Sequence, residues 1–225
     1  MNLALFDLDY TLLPIDSDHG WSQFLGETGV IDGDEHNRRN DAFFAQYQAG
    51  TLVIEEFLAF QLAPLAAHDR ATLDRLHAQY METKVRPNLH PAALELVRAH
   101  RDAGDLCAIV TATNEFVTRP IAGLFGIEHL IAIELETDAG GRYTGRHRGT
   151  PSFREGKITR TEQWLASLGH SLADFAHCWF YSDSANDLPL LERVNHPIAT
   201  NPDERLTRIA LERRWPVLRL FGAQP

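Results

Sequence analysis

The sequence predicts an α/β fold, a mainly parallel sheet with a helical unit inserted after its first strand. Three observations carry this. Short apolar runs alternate with longer stretches of helical periodicity. About ninety residues separate the first two strand-like runs, where a crossover needs only one helix. Several of the apolar runs end in acids or hydroxyls, as strands do where an open α/β sheet binds its ligand.

The first strand is predicted over residues 3–8, from the run LALFDL. Between residues 15 and 88 apolar side chains recur three and four apart in four groups. They are Trp21, Phe24 and Leu25; Phe43, Phe44 and Tyr47; Ile54, Phe57, Leu58 and Leu62; and Leu73, Leu76 and Tyr80. Such spacing marks helix faces and leaves no convincing strand, so the segment is expected to be a helical bundle over the carboxyl end of the first strand. A crossover helix over 91–103 then leads to a second strand over 106–111. Helices are predicted over 115–124, 159–168 and 188–193, and strands over 130–135, 178–182, 197–200 and 217–221. The glycine pair Gly140–Gly141 in DAGGRYTG predicts a turn and a small hairpin. The core is thus residues 1–14 and 89–225, and the inserted unit residues 15–88.

At 225 residues the chain can bury one sizeable core beside a smaller insert. No run approaches the roughly 20 apolar residues of a membrane span. The N-terminus has no basic region and Asp7 interrupts its apolar stretch, which predicts no signal peptide and a cytoplasmic location. Cys107 and Cys178 lie in apolar segments and read as small buried hydrophobes in a reducing compartment. The net charge of −10 argues against nucleic acid and anionic membranes as partners. One basic run stands out: Arg142, Arg146, Arg148, Arg154, Lys157 and Arg160, opposed within it only by Glu155. It is either a solvated face or an approach path for an anionic substrate.

Four stretches carry chemistry. LALFDLDYT ends an apolar strand with Asp7 and Asp9, two apart and so expected on the same side. Two buried like charges need a compensating partner. AIVTATNEF ends a strand in Thr111 and Thr113 at a helix start, where a hydroxyl either caps the helix or, with backbone N–H groups such as that of Ala112, holds a phosphate. REGKITRTEQW places Lys157 at the start of a helix, where a cation opposes the helix dipole unless it neutralises an anion. CWFYSDSANDLPLL again ends a strand in acids, Asp183 and Asp187, the second of which is also placed to cap a helix.

This order of carboxylates, hydroxyl, lysine and carboxylates resembles the haloacid dehalogenase-like superfamily of phosphohydrolases. The helical insert after the first motif places the chain beside the subgroup that includes phosphoserine phosphatases, with GTLVIEEFLAFQLAPL as part of the cap. The resemblance implies that Asp7 is the nucleophile, forming an aspartyl-phosphate, and that Asp9 is the acid and base. It implies Mg²⁺ held by the Asp7 and Asp183 carboxylates and the Asp9 backbone carbonyl. Thr111, Ala112 and Lys157 would bind the phosphoryl group, with Asp187 and Asn186 in support. A second acid after the nucleophile is what phosphoryl transfer needs and halide expulsion does not. The expected substrate is a small phosphorylated metabolite. A phosphotransferase with the same intermediate and a non-catalytic phosphate-binding module are the alternatives.

The cap arginine with which phosphoserine phosphatases clamp a carboxylate would fall near residues 59–61, where Gln61 is neutral. Their cap acid falls at Asp16. Asp16, Asp18 and His19 in PIDSDHGW stand where a cap meets the leaving group. Together these point away from phosphoserine and toward an amino-alcohol phosphate, histidinol phosphate being one candidate. The competing reading is that Asp16 or Ser17 caps the first cap helix and Trp21 packs in its core.

Overall fold

A computed structural model describes residues 1–222. Seven strands form one sheet in the order β4-β3-β2-β1-β5-β6-β7. They are β1 (Leu3–Phe6), β2 (Leu106–Asn114), β3 (His129–Thr137), β4 (Tyr143–Arg148), β5 (Cys178–Ser182), β6 (His196–Thr200) and β7 (Val217–Leu218). Every neighbouring pair is parallel except β3 and β4, which form the hairpin expected at the glycine pair. β1 is central and all four of its residues are buried, as expected of a strand covered on both faces. Its alternate side chains serve two apolar clusters. Ala4 and Phe6 join one, and Leu3 and Leu5 join the other with Leu165 and Phe180.

The four apolar groups of the insert are four helices, α1 (Ser17–Glu27), α2 (Gly33–Ala49), α3 (Ile54–Ala67) and α4 (Arg70–Tyr80). Asp16, Asp32 and Asp69 cap α1, α2 and α4 by accepting from backbone N–H groups of the first turn. Trp21, Leu58, Leu62, Leu73 and Tyr80 are buried in the same cluster as Ala4 and Phe6, so the insert's core is continuous with that of the sheet. Phe43, Phe44 and Tyr47 differ, for they are only half-buried. A π turn (Met81–Val85) and a 3-10 turn (Arg86–Asn88) lead to α5 (Pro91–Asp102), the crossover helix into β2. The remaining helices are α6 (Glu115–Leu124), α7 (Glu155–Ser167), α8 (Leu188–Leu191) and α9 (Glu204–Arg213).

Several boundaries differ from expectation. β1 stops at Phe6, because the chain turns at Leu8 to bring the amides of Leu12 and Leu13 onto its carbonyl. Asp7 and Asp9 therefore follow the strand, and strand alternation does not place them. β2 runs on to Asn114, whose side chain, not that of Thr111 or Thr113, caps α6 by accepting from the Val117 amide. α7 begins at Glu155, four residues before the apolar periodicity of 159–168. Cys107 and Cys178 are buried and free, as expected. Among the described residues no helix is long and apolar enough to cross a membrane.

Candidate active site

Adjacent parallel strands bring their carboxyl ends to one place. Asp7 follows β1, Thr111 lies in β2 and Asp183 follows β5, with β1 between the other two. The Asp7 amide still donates to the Tyr181 carbonyl at 2.9 Å, which fixes the first acid against β5. Lys157 enters from the first turn of α7, its ammonium 3.0 Å from Asp7 Oδ1 and 2.7 Å from Asp187 Oδ2. It is buried, and a buried lysine is tolerable only with such counter-charges. Burial alone would lower its pKa, but Asp187 and Asp7 outweigh that and hold it raised. Gly156 makes this placement feasible. A Cβ there would lie 2.0 Å from the Pro151 carbonyl oxygen, so only glycine lets the first turn of α7 close against that loop.

Asp187 precedes α8 but makes no capping bond. Its Oδ2 accepts from Lys157 and from Ser182 Oγ at 2.7 Å. Asp183 Oδ1 accepts from Thr11 Oγ1 at 3.1 Å, and the Asp183 amide donates back to the same hydroxyl oxygen at 3.0 Å. Asn201 Nδ2 donates to the Tyr10 and Thr11 carbonyls, steadying the loop in which Tyr10 takes a left-handed backbone with φ 55°. Asn186 Nδ2 donates to the Tyr47 carbonyl at 3.0 Å, so it serves the insert and makes no bond to a carboxylate.

Asp9 faces the insert. Its Oδ1 accepts from the Ser17 amide at 2.7 Å and its Oδ2 from Thr113 Oγ1 at 2.8 Å. Thr111 Oγ1 accepts from the Thr113 amide at 3.1 Å, which leaves its own proton to donate into the site. The β2–β3 register slips between Val110 and Asn114, releasing the backbone around Ala112 from that ladder. Burial raises the Asp7 pKa to about 8, opposed by Lys157 and reinforced by Asp187 and Asp9. Burial, with Asp16 adding to it, raises Asp9 to about 7. Asp183 is pushed well above the usual carboxylate range by burial, then by Asp7 and Asp187.

Beside these buried acids stands one ammonium, paired with Asp7 and Asp187. Asp7 Oδ2 and Asp183 Oδ2 take no hydrogen bond among the described residues. Hard oxygen donors with excess negative charge fit Mg²⁺. No group of three or more His, Cys, Asp or Glu side chains poised for a metal occurs among the described residues. That agrees with a donor set of two carboxylates and one backbone carbonyl.

Over these groups lies a narrow cavity of about 60 Å³. Asp16, Asp18, His19, Asn40 and aromatic side chains of α2 wall its upper part. Asp16 caps α1, accepting from the amides of Asp18 at 2.9 Å and His19 at 2.8 Å, and it also faces the cavity. Trp21 packs in the core. Both halves of the capping alternative therefore hold, and for Asp16 the two roles coexist. Asp18 is buried and accepts only from Asn114 Nδ2, at 3.3 Å. Burial raises its pKa well above the usual range, and Asp16 and Asp9 add to this. His19 Nε2 is engaged by Asp41 at 2.9 Å and its ring tilts against Phe44.

One expectation fails here. Gln61 does not line the cavity; it is buried behind it, donating to Asn40 Oδ1 at 3.1 Å, while Asn40 in turn donates to the His19 carbonyl. Of the two readings of the basic run, the pairings favour the surface face over the approach path. Arg146 pairs with Glu136, and Arg148 and Arg160 both pair with Glu134, acids of β3 that the hairpin folds beside them. Only Lys157 of that run lines the cavity. Sequence reasoning also missed Tyr10, Phe43, Phe44, Tyr47 and Phe153 as cavity walls.

A family model of haloacid dehalogenase-like hydrolases matches residues 4–192. A histidinol-phosphatase of Neisseria meningitidis serogroup C (strain 8013) is 48% identical over 217 residues, covering 96% of this chain and 98% of that protein. A crystal structure from Bordetella pertussis Tohama I, described as a protein with unknown function, is 54% identical with a TM-score of 0.93, covering 98% of this chain and 99% of that one. A substrate-bound phosphoserine phosphatase complex shares the fold with a TM-score of 0.68 at 17% identity, covering 96% and 92% of the two chains.

Proposed function

The chain belongs to the haloacid dehalogenase-like hydrolase family and is a phosphoric monoester hydrolase; from that premise we propose that it hydrolyses a cationic amino-alcohol phosphate, histidinol phosphate foremost, through an aspartyl-phosphate on Asp7. The observation that carries the chemistry is Lys157 bridging Asp7 and Asp187 beside Asp183 at the mouth of β1. Asp7 attacks phosphorus, and the P–O bond to the leaving alcohol breaks. Asp9, held near neutrality by its pKa of about 7, gives the alkoxide a proton. It then takes a proton from the water that cleaves the acyl phosphate, releasing inorganic phosphate and restoring the Asp7 carboxylate. Lys157 and the Thr111 hydroxyl hold the phosphoryl oxygens, and Ser182 and Asp187 hold Lys157. The Asp7 and Asp183 carboxylates and the Asp9 carbonyl would hold a Mg²⁺ ion, which would supply positive charge to those oxygens and favour the ionised form of Asp7. Asn186 acts on the insert.

Substrate choice rests on charge. Among the described residues Lys157 is the only lysine or arginine lining the cavity, and it is committed to the phosphoryl end. The opposite wall carries Asp16 and Asp18 without a cationic partner, beside aromatic rings. A carboxylate-bearing leaving group such as serine would be repelled there, while an ammonium with an aromatic ring is welcomed. The similar histidinol-phosphatase supports the same substrate. The test is a Mg²⁺-containing screen over metabolite phosphates, counting released phosphate. Histidinol phosphate should rank above phosphoserine by at least about tenfold in kcat/KM, and the reverse ranking would refute the substrate assignment.

A further inference from the structure

The cavity of about 60 Å³ holds a few waters, whereas sites for small organic ligands run to roughly 300 Å³ or more. The insert therefore lies close over the site, and contacts between insert and core hold it there. α2 supplies Asn40, Phe43, Phe44 and Tyr47 to the roof, and its C-terminal end reaches over to the core. The last carbonyls of a helix lack partners within it and carry the negative end of its dipole. α2 has no basic residue in its last turn to satisfy them. The amides of Gly50 and Thr51 reach back to the Tyr47 and Gln46 carbonyls, and three core side chains add donors to this end of α2 and its cap. Asn186 Nδ2 donates to the Tyr47 carbonyl at 3.0 Å, Arg205 Nη1 to the Gln48 carbonyl at 3.4 Å, and Arg154 Nη2 to the Gly50 carbonyl.

The placement of these donors matters more than their number. Asn186 lies between Asp183 and Asp187, and Arg154 lies three residues before Lys157. Arg154 holds a left-handed backbone at φ 50°, uncommon for a residue with a side chain, and makes no capping bond to α7. Its guanidinium spans Phe153, a cavity wall that also meets Tyr47. The loops that hold the phosphoryl group and the metal-binding acids are thus the loops that grip the roof.

We infer that Asn186, Arg154 and Arg205 form a latch on the end of α2, and that Asn186 and Arg154 are positioning residues that make a closed roof and an assembled catalytic cluster the same event. The inference rests on the proposed function only in taking the cavity under α2 as the reaction site. It predicts that weakening the latch opens α2 and slows chemistry together.

The test compares Asn186→Ala, Arg154→Ala and Arg205→Ala with wild type by amide hydrogen exchange over residues 43–52, and by kcat and KM for 4-nitrophenyl phosphate with Mg²⁺. Each alanine variant should speed exchange there by about fivefold, the factor one such hydrogen bond carries. Asn186→Ala and Arg154→Ala should lower kcat by a similar factor with KM shifted less than about twofold. Arg154→Lys, which keeps a cationic donor, should recover most of the loss. Unchanged exchange in all three variants would overturn the latch. Faster exchange with wild-type kcat in Asn186→Ala and Arg154→Ala would overturn the positioning role and reduce these bonds to packing. Melting temperatures exclude a variant that has simply unfolded. The exchange arm needs no turnover, so it decides on the latch even if wild type hydrolyses no phosphate.

Discussion

Two groups of three carboxylates meet at one cavity, five of them lining it and Asp187 standing behind Lys157, and they are treated differently. Asp7 and Asp187 pair with the Lys157 ammonium, Asp183 accepts from Thr11, and Asp7 and Asp183 each keep one oxygen open for a dication. Asp9, Asp16 and Asp18 have no lysine or arginine at all and are held by backbone amides, Thr113 and Asn114. The first group is an assembled machine for a phosphoryl group whatever it is attached to. In the second, Asp9 belongs to the proposed chemistry, while Asp16 and Asp18 form an unbalanced wall whose missing positive charge the substrate can bring. Chemistry and selection are therefore separable in this molecule, and substitutions can pull them apart.

The largest effect is expected at the nucleophile. Asp7→Asn should lower kcat by more than about 10³-fold for every phosphate ester, measured as released phosphate, because the amide cannot form the acyl phosphate. Retained activity above about a few per cent of wild type would move the nucleophile elsewhere. Next comes Lys157→Met. It strands Asp7 and Asp187 in a buried site, so denaturant titration without metal should show a loss of about 3–5 kcal/mol.

Asp18→Asn should act on the other group alone. KM for histidinol phosphate should rise about tenfold, while 4-nitrophenyl phosphate, which has no cation, shifts less than about twofold. Equal changes for both would show that Asp18 does not read charge. The same variant sharpens the contrast through pH. The Asp18 pKa is raised in the folded state above its unfolded value of 3.8, so the folded protein holds that proton more tightly. Stability from this residue is complete at low pH and is lost as pH rises above the unfolded value. The melting temperature of Asp18→Asn minus that of wild type should therefore grow from pH about 4 toward neutrality. A difference that stays flat would deny the burial penalty. The smallest effect is expected at Arg148→Ala. Its exposed pairing with Glu134 is worth about 1 kcal/mol or less, and kcat/KM should not move.

The same division governs what the sequence made legible. Asp7, Thr111, Lys157 and Asp183 were readable because each ends or opens a regular element, and parallel topology brings such ends together. Lys157 was readable by its very discomfort in a first helical turn. The roof was not. Helical periodicity in Phe43, Phe44 and Tyr47 reports an apolar face without saying whether it meets a core or a cavity. Gln61 was singled out by position along the chain, but its side chain turns to Asn40. The basic run looked unopposed because its partners, Glu134 and Glu136, lie on β3 and meet it only once the hairpin forms. Gly156 could not be valued from sequence, since the carbonyl it must clear belongs to a loop whose path the sequence does not draw.

The most direct measurement is an acid-quenched reaction with histidinol phosphate and Mg²⁺, followed by peptide mass mapping during turnover. A phosphoryl group found on the peptide carrying Asp7, and absent from the Asp7→Asn variant, is the predicted result. Turnover with no such adduct, or an adduct on another residue, would contradict covalent catalysis at Asp7.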